Sequence, residues 1–185
     1  MGYAIADAAL AANHKVMLIS GPISLTAPKD AVSVNVETAA EMLEAVKVNL
    51  GQSDALIMAA AVADWRPKRI APQKIKKAHA EDCIELERTA DILEHIRTIK
   101  DRQIIVGFAA ETENLIAEAQ RKLRDKGVDL IVANDVSRVD AGFDVDTNRA
   151  TLLSADGKSE DLPLMTKRDL AQRIVDWVCA KHSTY

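Results

Sequence analysis

Residues 103–135, QIIVGFAAETENLIAEAQRKLRDKGVDLIVAND, decide the fold. Both ends of this stretch, 103–110 and 129–135, are short apolar runs of the kind found in strands buried on both faces of a parallel sheet. The part between them, 114–126, has helical periodicity, and Gly127 follows as a residue suited to end a helix. The stretch therefore predicts a strand, a helix and a second strand parallel to the first.

The same alternation continues on both sides of this unit. Short apolar segments predict further strands at 15–20, 31–36, 54–60 and 150–155. Helical periodicity predicts further helices at 38–50, 91–100 and 166–181. We expect one domain over residues 1–185 with an α/β fold, a Rossmann-like three-layer open sheet that is mostly parallel.

The first segment, residues 2–13, looks like a crossover helix, but no strand comes before it in the sequence. In a doubly wound fold that strand lies centrally, and the turn after it is the usual phosphate-binding loop. We therefore expect that the first strand is missing and that the domain is truncated at its N-terminus. The alternative is that residues 1–13 form a free N-terminal helix.

Residues 66–88 interrupt the alternation. The part from Arg66 to Lys77 holds six basic residues and no acidic one, and the alternating stretch EDCIELER follows at 81–88. This pattern predicts a protruding arm, made of a basic loop and a strand.

Composition excludes several classes of protein. The 185 residues include 24 basic and 28 acidic ones, and the net charge of −4 offers no general attraction to nucleic acid or to an anionic membrane. No apolar run is long enough to span a bilayer, and the N-terminal segment lacks the features of a secretory signal. Cys83 and Cys179 stand outside any CxxC pair or histidine cluster. We expect a cytoplasmic protein with two inert thiols.

A candidate ligand site follows the strand that ends near Ala60. Small residues and then Asp64 come directly after it, at the carboxyl edge of the sheet, where open α/β folds bind ligands. Small side chains let a ligand approach the main chain, and a carboxylate accepts hydrogen bonds from ribose hydroxyls or a base amine. Lys74, on the basic loop, is the best candidate for holding a phosphate. Close packing, a turn cap and a solvated loop are the alternative interpretations.

Three more features point to the same edge. Thr89 is the predicted N-cap of the helix that begins near Asp91. The first-turn N–H groups of that helix are suited to an anion, or the segment is an ordinary capped helix. Phe108 ends its strand, where its ring can pack against a base or belong to the core. Lys122 and Lys126 share one helix face, so both can approach one polyanion or simply face solvent.

Other chemistries lack their signatures. The four histidines are scattered and pair with no obvious Ser or Cys, so we assign no covalent nucleophile. Neither a GxGxxG turn nor a P-loop is present in the chain. Asp64 and Asp91 are possible metal-facing carboxylates, but the sequence leaves the metal ligands unknown.

Four blocks together resemble one family. These are AAVADWRPKRIAPQKIKK at 60–77, VGFAAET at 106–112, the Lys122/Lys126 pair and DLIVANDVS at 129–137. As a set they resemble the phosphopantothenoylcysteine synthetase domain of the bifunctional bacterial coenzyme A enzymes. The resemblance spans nearly the whole chain.

The resemblance implies a ligase that uses CTP and Mg²⁺. It would activate the carboxylate of 4′-phosphopantothenate as an acyl-cytidylate, and the amine of L-cysteine would then displace CMP. Lys74 would stabilise charge in the first step. The CTP contacts implied for this chain are Met58, Ala59, Ala60, Asp64, Lys74, Ala90, Asp91, Ile92, Leu93, Phe108, Lys122 and Lys126.

The chain departs from the family pattern in two places. Thr89-Ala90 stands where many members have Asn-Pro, a change that keeps a capping residue before the helix. The family's N-terminal strand and its Asn-x-Ser-Ser-Gly loop are absent, and that asparagine is expected to bind the acyl-cytidylate. This absence puts turnover by the chain alone in doubt.

The resemblance also bears on partners. It implies a homodimer formed through the arm, and an FMN-dependent decarboxylase domain that would lie outside these residues. Two other functions stay open: a nicotinamide-dependent Rossmann-type reductase, and a non-catalytic nucleotide-binding dimerisation module.

Overall fold

A computed structural model describes residues 1–74, 83–111, 115–135 and 147–184. It contains five helices in these ranges, all of them predicted. They are α1 (Gly2–Ala11), α2 (Ala39–Leu50), α3 (Ile92–Ile99), α4 (Leu115–Lys126) and α5 (Lys167–His182). None of the described helices is both long enough and apolar enough to cross a membrane.

The described strands are mostly short. They are β1 (Met17–Ser20), β2 (Val32–Asn35), β3 (Ala55–Met58), β4 (Trp65–Pro67), β5 (Leu86–Arg88), β6 (Ile104–Glu111), β7 (Leu130–Asp135), β8 (Thr147–Asn148), β9 (Ala150–Ser154), β10 (Ser159–Asp161) and β11 (Met165–Thr166). All six predicted strands are present. β9, predicted at 150–155, pairs antiparallel with β7 and begins the antiparallel side of the sheet.

The main sheet has the strand order β10-β9-β7-β6-β3. The pairs β3–β6 and β6–β7 are parallel, as the strand-helix-strand prediction requires, whereas β7–β9 and β9–β10 are antiparallel. Because the carboxyl ends of β3, β6 and β7 lie at one edge, the segments that follow them are brought together there.

In the described residues, the strands predicted at 15–20 and 31–36 do not join the main sheet. β1 and β2 form a separate parallel pair, and the main sheet ends at β3. In a doubly wound order, a further parallel strand would lie between β1 and β3 and join the two sheets. The described residues contain no such strand, so β1 and β3 each keep one edge without a pairing partner.

Two apolar clusters, one on each face of the main sheet, make the three layers. On one face, α1 and α5 cover alternate residues of β6 and β7, including Val106 and Val132. On the other face, α2, α3 and α4 cover the intervening residues, including Ile105 and Ile131. The period-two alternation of the strands thus gives each helical layer its own half of the core.

Local sequence signals explain where α2 begins and where α4 ends. Thr38 and Glu41 form a reciprocal capping box at the start of α2, with Thr38 Oγ1 accepting from the Glu41 N–H at 3.1 Å. Gly127, predicted to end α4, follows it with a φ of +61°, a left-handed conformation that glycine adopts without strain. A Cβ at this glycine would lie 3.0 Å from Cγ of Arg97.

The predicted arm is present as a two-stranded antiparallel ribbon. β4 pairs with β5, with Trp65 opposite Arg88 and Arg66 opposite Glu87. The Arg88 guanidinium lies 4.9 Å from the centre of the Trp65 ring. Residues 75–82, which complete the predicted basic loop and begin its strand, lie outside the described residues.

Candidate functional site

The loop after β3 forms one wall of the candidate site. Met58, the last residue of β3, is opposite Gly107 of β6, and Ala59 and Ala60 continue into an irregular segment. Asp64 is exposed, and its carbonyl accepts a hydrogen bond from the Thr89 N–H at 2.9 Å. The predicted small-residue stretch therefore lies at the carboxyl edge of the sheet and is tied to the base of the arm.

Two cavities open beside this loop. One of about 280 Å³ lies between Ala60–Ala63 on one side and Gly21, Glu37 and Thr38 on the other. A neighbouring cavity of about 480 Å³ extends over the carboxyl ends of β1 and β2, where the Tyr3 hydroxyl contacts Ser20 Oγ at 3.0 Å. Small side chains and exposed main-chain groups line the first cavity, as a site that reads a ligand through its backbone requires.

The start of α3 differs from the prediction. Its N-cap is Asp91, whose side chain accepts a hydrogen bond from the Glu94 N–H at 3.0 Å. Thr89, the predicted cap, instead donates its hydroxyl hydrogen bond to the Ala63 carbonyl. Thr89 therefore fastens the arm to the β3 loop. The Glu94 N–H is bonded to the Asp91 carboxylate and is not available to an anion, as expected for an ordinary capped helix.

The side chains of Ile92 and Leu93 pack in the core. Ile92 is 4% exposed, and Leu93 packs against the cluster between the sheet and α2–α4. A Cβ at Gly107 would lie 3.5 Å from Leu93 Cδ1 and 3.0 Å from Ile131 Cδ1, so glycine permits this close packing. The main chain at 90–93 is the part of this segment that remains for a ligand.

Asp91 and Lys126 are brought together by the fold. Lys126 Nζ lies 2.6 Å from Asp91 Oδ2, in an ion pair that joins the last residue of α4 to the cap of α3. Burial raises the pKa of the Asp91 carboxyl, but the hydrogen bonds from Lys126 and from the first-turn N–H groups outweigh it, so the pKa is lowered. Lys122 lies half-buried on the same helix face, one turn earlier.

Two other predicted residues lie apart from this pair. Phe108 is partly buried against the cluster on the α1 and α5 face, opposite the face that carries Leu93. Its ring belongs to the core, which was the alternative interpretation. Lys74 is exposed and is the last described residue before 75–82. In the described part of the chain, it makes no contact with the Asp91–Lys126 pair.

Three buried polar residues at this edge were not among the predicted site residues. Asn134 Oδ1, Asn148 Oδ1 and Arg149 Nε are buried and have no hydrogen-bond partner among the described residues. Asn134 is opposite Ala150, so all three lie near the carboxyl end of β7. Buried polar atoms without a hydrogen-bond partner cost free energy and are uncommon. The signal available in the sequence was the polar pair Asn148-Arg149, just before the buried strand β9.

Metal and thiol chemistry has little support in the described ranges. No group of three or more His, Cys, Asp or Glu side chains there could hold a metal ion. Cys83 and Cys179 are both free thiols, and Cys179 Sγ lies 3.1 Å from His14 Nε2 on the helical layer away from the candidate site.

The observed architecture is that of a Rossmann-like α/β domain with a candidate ligand site at the carboxyl edge of its parallel strands. Residues 1–181 match the family model described as the DNA/pantothenate metabolism flavoprotein C-terminal domain. The chain belongs to this family, which confirms the resemblance found in its motifs.

Curated relatives agree with this assignment. The chain is 46% identical over 181 residues to the coenzyme A biosynthesis bifunctional protein CoaBC of Bacillus subtilis, covering 97% of this chain and 45% of that protein. It is 41% identical over 186 residues to the protein of the same name from Escherichia coli strain K12, covering 98% and 46% respectively. The chain thus spans about half the length of these relatives.

Solved structures agree on the fold. The crystal structure of the C-terminal domain of a coenzyme A biosynthesis bifunctional protein CoaBC matches with a TM-score of 0.85 and 39% identity, covering 100% of this chain and 83% of that one. A Cab2 mutant in complex with phosphopantothenate-cysteine matches with a TM-score of 0.74 over 99% of this chain and 77% of that one. At 16% identity, this second match supports the fold alone.

Proposed function

We propose that the chain is the CTP-dependent phosphopantothenate–cysteine ligase domain of a coenzyme A biosynthesis enzyme. The observation that carries this proposal is the family match over residues 1–181, together with 46% identity to a protein named for coenzyme A biosynthesis. The Cab2 complex, which has the same fold, is named as holding phosphopantothenate-cysteine, the product of such a ligation.

The reaction would have two steps. In the first, a carboxylate oxygen of 4′-phosphopantothenate attacks the α-phosphorus of CTP, the bond to the β-phosphate breaks, and pyrophosphate leaves. In the second, the amine of L-cysteine attacks the acyl carbon, the bond to the cytidylate oxygen breaks, and CMP leaves as the amine loses a proton. Both steps depend mainly on positioning and on neutralising phosphate charge.

Residues at the carboxyl edge divide these tasks in our proposal. The main chain at 58–60 and 90–93 would bind the base and the sugar-phosphate, and the exposed Asp64 carboxylate would accept hydrogen bonds from ribose hydroxyls. Lys74, Lys122 and Lys126 would bind the phosphates. Phe108 would contribute through its main chain, because its ring is packed in the core.

Magnesium would enter as the complex with CTP. Mg²⁺ in nucleotide sites is held largely by substrate phosphates and by one or two carboxylates. Asp91 is engaged by Lys126 and by the Glu94 N–H, so Asp64 is the better placed carboxylate of the two.

Other parts of the proposal concern the protein's surroundings. We propose a homodimer in the cytoplasm that works on small molecules rather than on nucleic acid or membranes. FMN would be bound only by a decarboxylase domain of the kind that the bifunctional relatives imply. The nicotinamide-dependent reductase has less support, because β1 ends at Ser20 and is followed by Gly21, and neither is the acidic residue that would bind the adenosine ribose.

Calorimetric titration with CTP and Mg²⁺, compared with ATP and NADPH under the same conditions, tests the proposed function. We expect CTP to bind more tightly than either competitor. Selective binding of NADPH would contradict the ligase function and favour the reductase. Equal binding of CTP and ATP would contradict the proposed nucleotide preference.

A further inference from the structure

Lys126 reaches the carboxyl edge from the opposite end of the sheet. α4 connects the end of β6 to the start of β7, and these strands are parallel, so the C-terminus of α4 lies near the amino edge. Consistent with this position, the Arg97 guanidinium in the last turn of α3 donates to the Asp125 carbonyl at 2.9 Å. The Lys126 ammonium nevertheless lies at Asp91, the N-cap of α3.

Asp91 is the group that holds the ammonium there. One carboxylate oxygen caps α3 through the Glu94 N–H at 3.0 Å, and the other accepts from Lys126 Nζ at 2.6 Å. A helix N-terminus carries partial positive charge and would repel an ammonium group, so the Asp91 carboxylate reverses the local preference. Both side chains are partly exposed, at 30% for Lys126 and 39% for Asp91, so a ligand can reach them.

The Lys126 ammonium is suited to bind a phosphate while it is held by Asp91. A lysine ammonium has three N–H donors, and the contact with Asp91 uses one of them. A flexible lysine would otherwise lose rotamer entropy when it binds a phosphate. An ammonium that is already fixed avoids most of this cost at the moment of binding.

We propose that Asp91 is a positioning residue, which presents the Lys126 ammonium to a phosphate of the bound nucleotide. This inference rests on the proposed function, because it assigns a role in nucleotide binding. Asp91 acts through Lys126 and not through direct contact between its carboxylate and the nucleotide, which would place negative charge beside negative charge.

A double-mutant cycle on nucleotide affinity tests this inference. Asp91→Asn keeps a good capping side chain for α3 but removes the charge that holds Lys126. Lys126→Gln removes the ammonium itself. We expect each single variant to weaken CTP·Mg²⁺ binding about tenfold, and the double variant to bind no more weakly than Lys126→Gln. Asp125→Asn, which makes the same charge change beside Lys126 but affects the pair with Arg121, serves as the control and should bind as the unmodified chain does.

Several outcomes would overturn the positioning role. Additive losses in the double variant would mean that Asp91 acts independently of Lys126. Unchanged or tighter binding by Asp91→Asn would mean that Asp91 is neutral or competes with the phosphate for the ammonium. A loss of affinity of the same size in Asp125→Asn would mean that the change in net charge alone explains the effect.

A ligand-free measurement separates this inference from the proposed function. The Asp91 carboxyl should titrate below its ordinary value of 3.8 in the unmodified chain and closer to that value in Lys126→Gln, as followed by carbon NMR. An unshifted Asp91 in the unmodified chain would remove the ion pair, and with it the positioning role. If the titration shows the ion pair but the unmodified chain does not bind CTP, the proposed function fails and the positioning role fails with it.

Discussion

At the scale of single residues, Lys74 carries the most direct prediction about chemistry. Lys74→Gln should slow pyrophosphate release by about a hundredfold or more, because an ammonium that offsets developing phosphate charge is lost. Release of pyrophosphate from CTP and phosphopantothenate measures this, and circular dichroism checks that the fold is unchanged. Lys68→Gln is the matched control, since Lys68 pairs with Glu85 on the arm. Unchanged release in Lys74→Gln would remove Lys74 from the mechanism.

Gly127 carries a prediction about stability. Gly127→Ala should lower the free energy of unfolding by about 1–2 kcal/mol, because an alanine is strained at a φ of +61° and its Cβ would press on Arg97. Urea denaturation measures the change. Gly51→Ala is the control, since Gly51 has a φ of −64° and open space around it. Equal effects at the two positions would contradict the explanation.

The position of the α3 cap shows the limit of residue-level prediction. Thr89 and Asp91 are both good capping residues, and sequence preferences alone favour neither. The choice depends on tertiary contacts: the Ala63 carbonyl binds Thr89, and the Lys126 ammonium binds Asp91. Asp91 was predicted as a site residue, but its ion pair with Lys126 joins residues 35 positions apart and has no local signal in the sequence.

At the scale of single elements, the capping box of α2 is the sharpest test. Thr38→Ala should cost about 1 kcal/mol of stability, because it removes the acceptor for the Glu41 N–H. Thr38→Ser keeps the hydroxyl and should leave stability nearly unchanged. Thermal unfolding of both variants measures the difference, and an equal loss in the two would show that packing, and not the cap, determines the effect.

Elements were predictable where the pattern is local. Hydrophobic periodicity located all five described helices and the strands that flank them, because burial on one or two faces dictates the spacing of apolar residues. Strand pairing was harder to predict from the sequence. The antiparallel placement of β9 beside β7, and the separation of β1 and β2 from the main sheet, depend on partners distant in the chain.

At the scale of the whole molecule, the arm carries the prediction about assembly. Ile70, Ile84 and Leu86 are exposed there, Ile70 and Ile84 at 91% and 76%. Such a patch is typical of an interface. Ile84→Asp should weaken a dimer about tenfold or more, because it places a charge in an apolar contact. Sedimentation equilibrium measures the change, and Val48→Asp, at an exposed position of α2, is the control. A chain that is monomeric at all concentrations would contradict the proposed homodimer.

The separation of the two sheets has a consequence for how the molecule behaves in solution. The free edges of β1 and β3 present main-chain donors and acceptors that no described strand satisfies. An unprotected edge is a template on which an extended segment of another molecule can add by main-chain hydrogen bonding. Such addition, repeated from molecule to molecule, leads to fibrous or amorphous aggregates. A parallel strand placed between β1 and β3 would satisfy both edges and would protect this part of the chain from such addition.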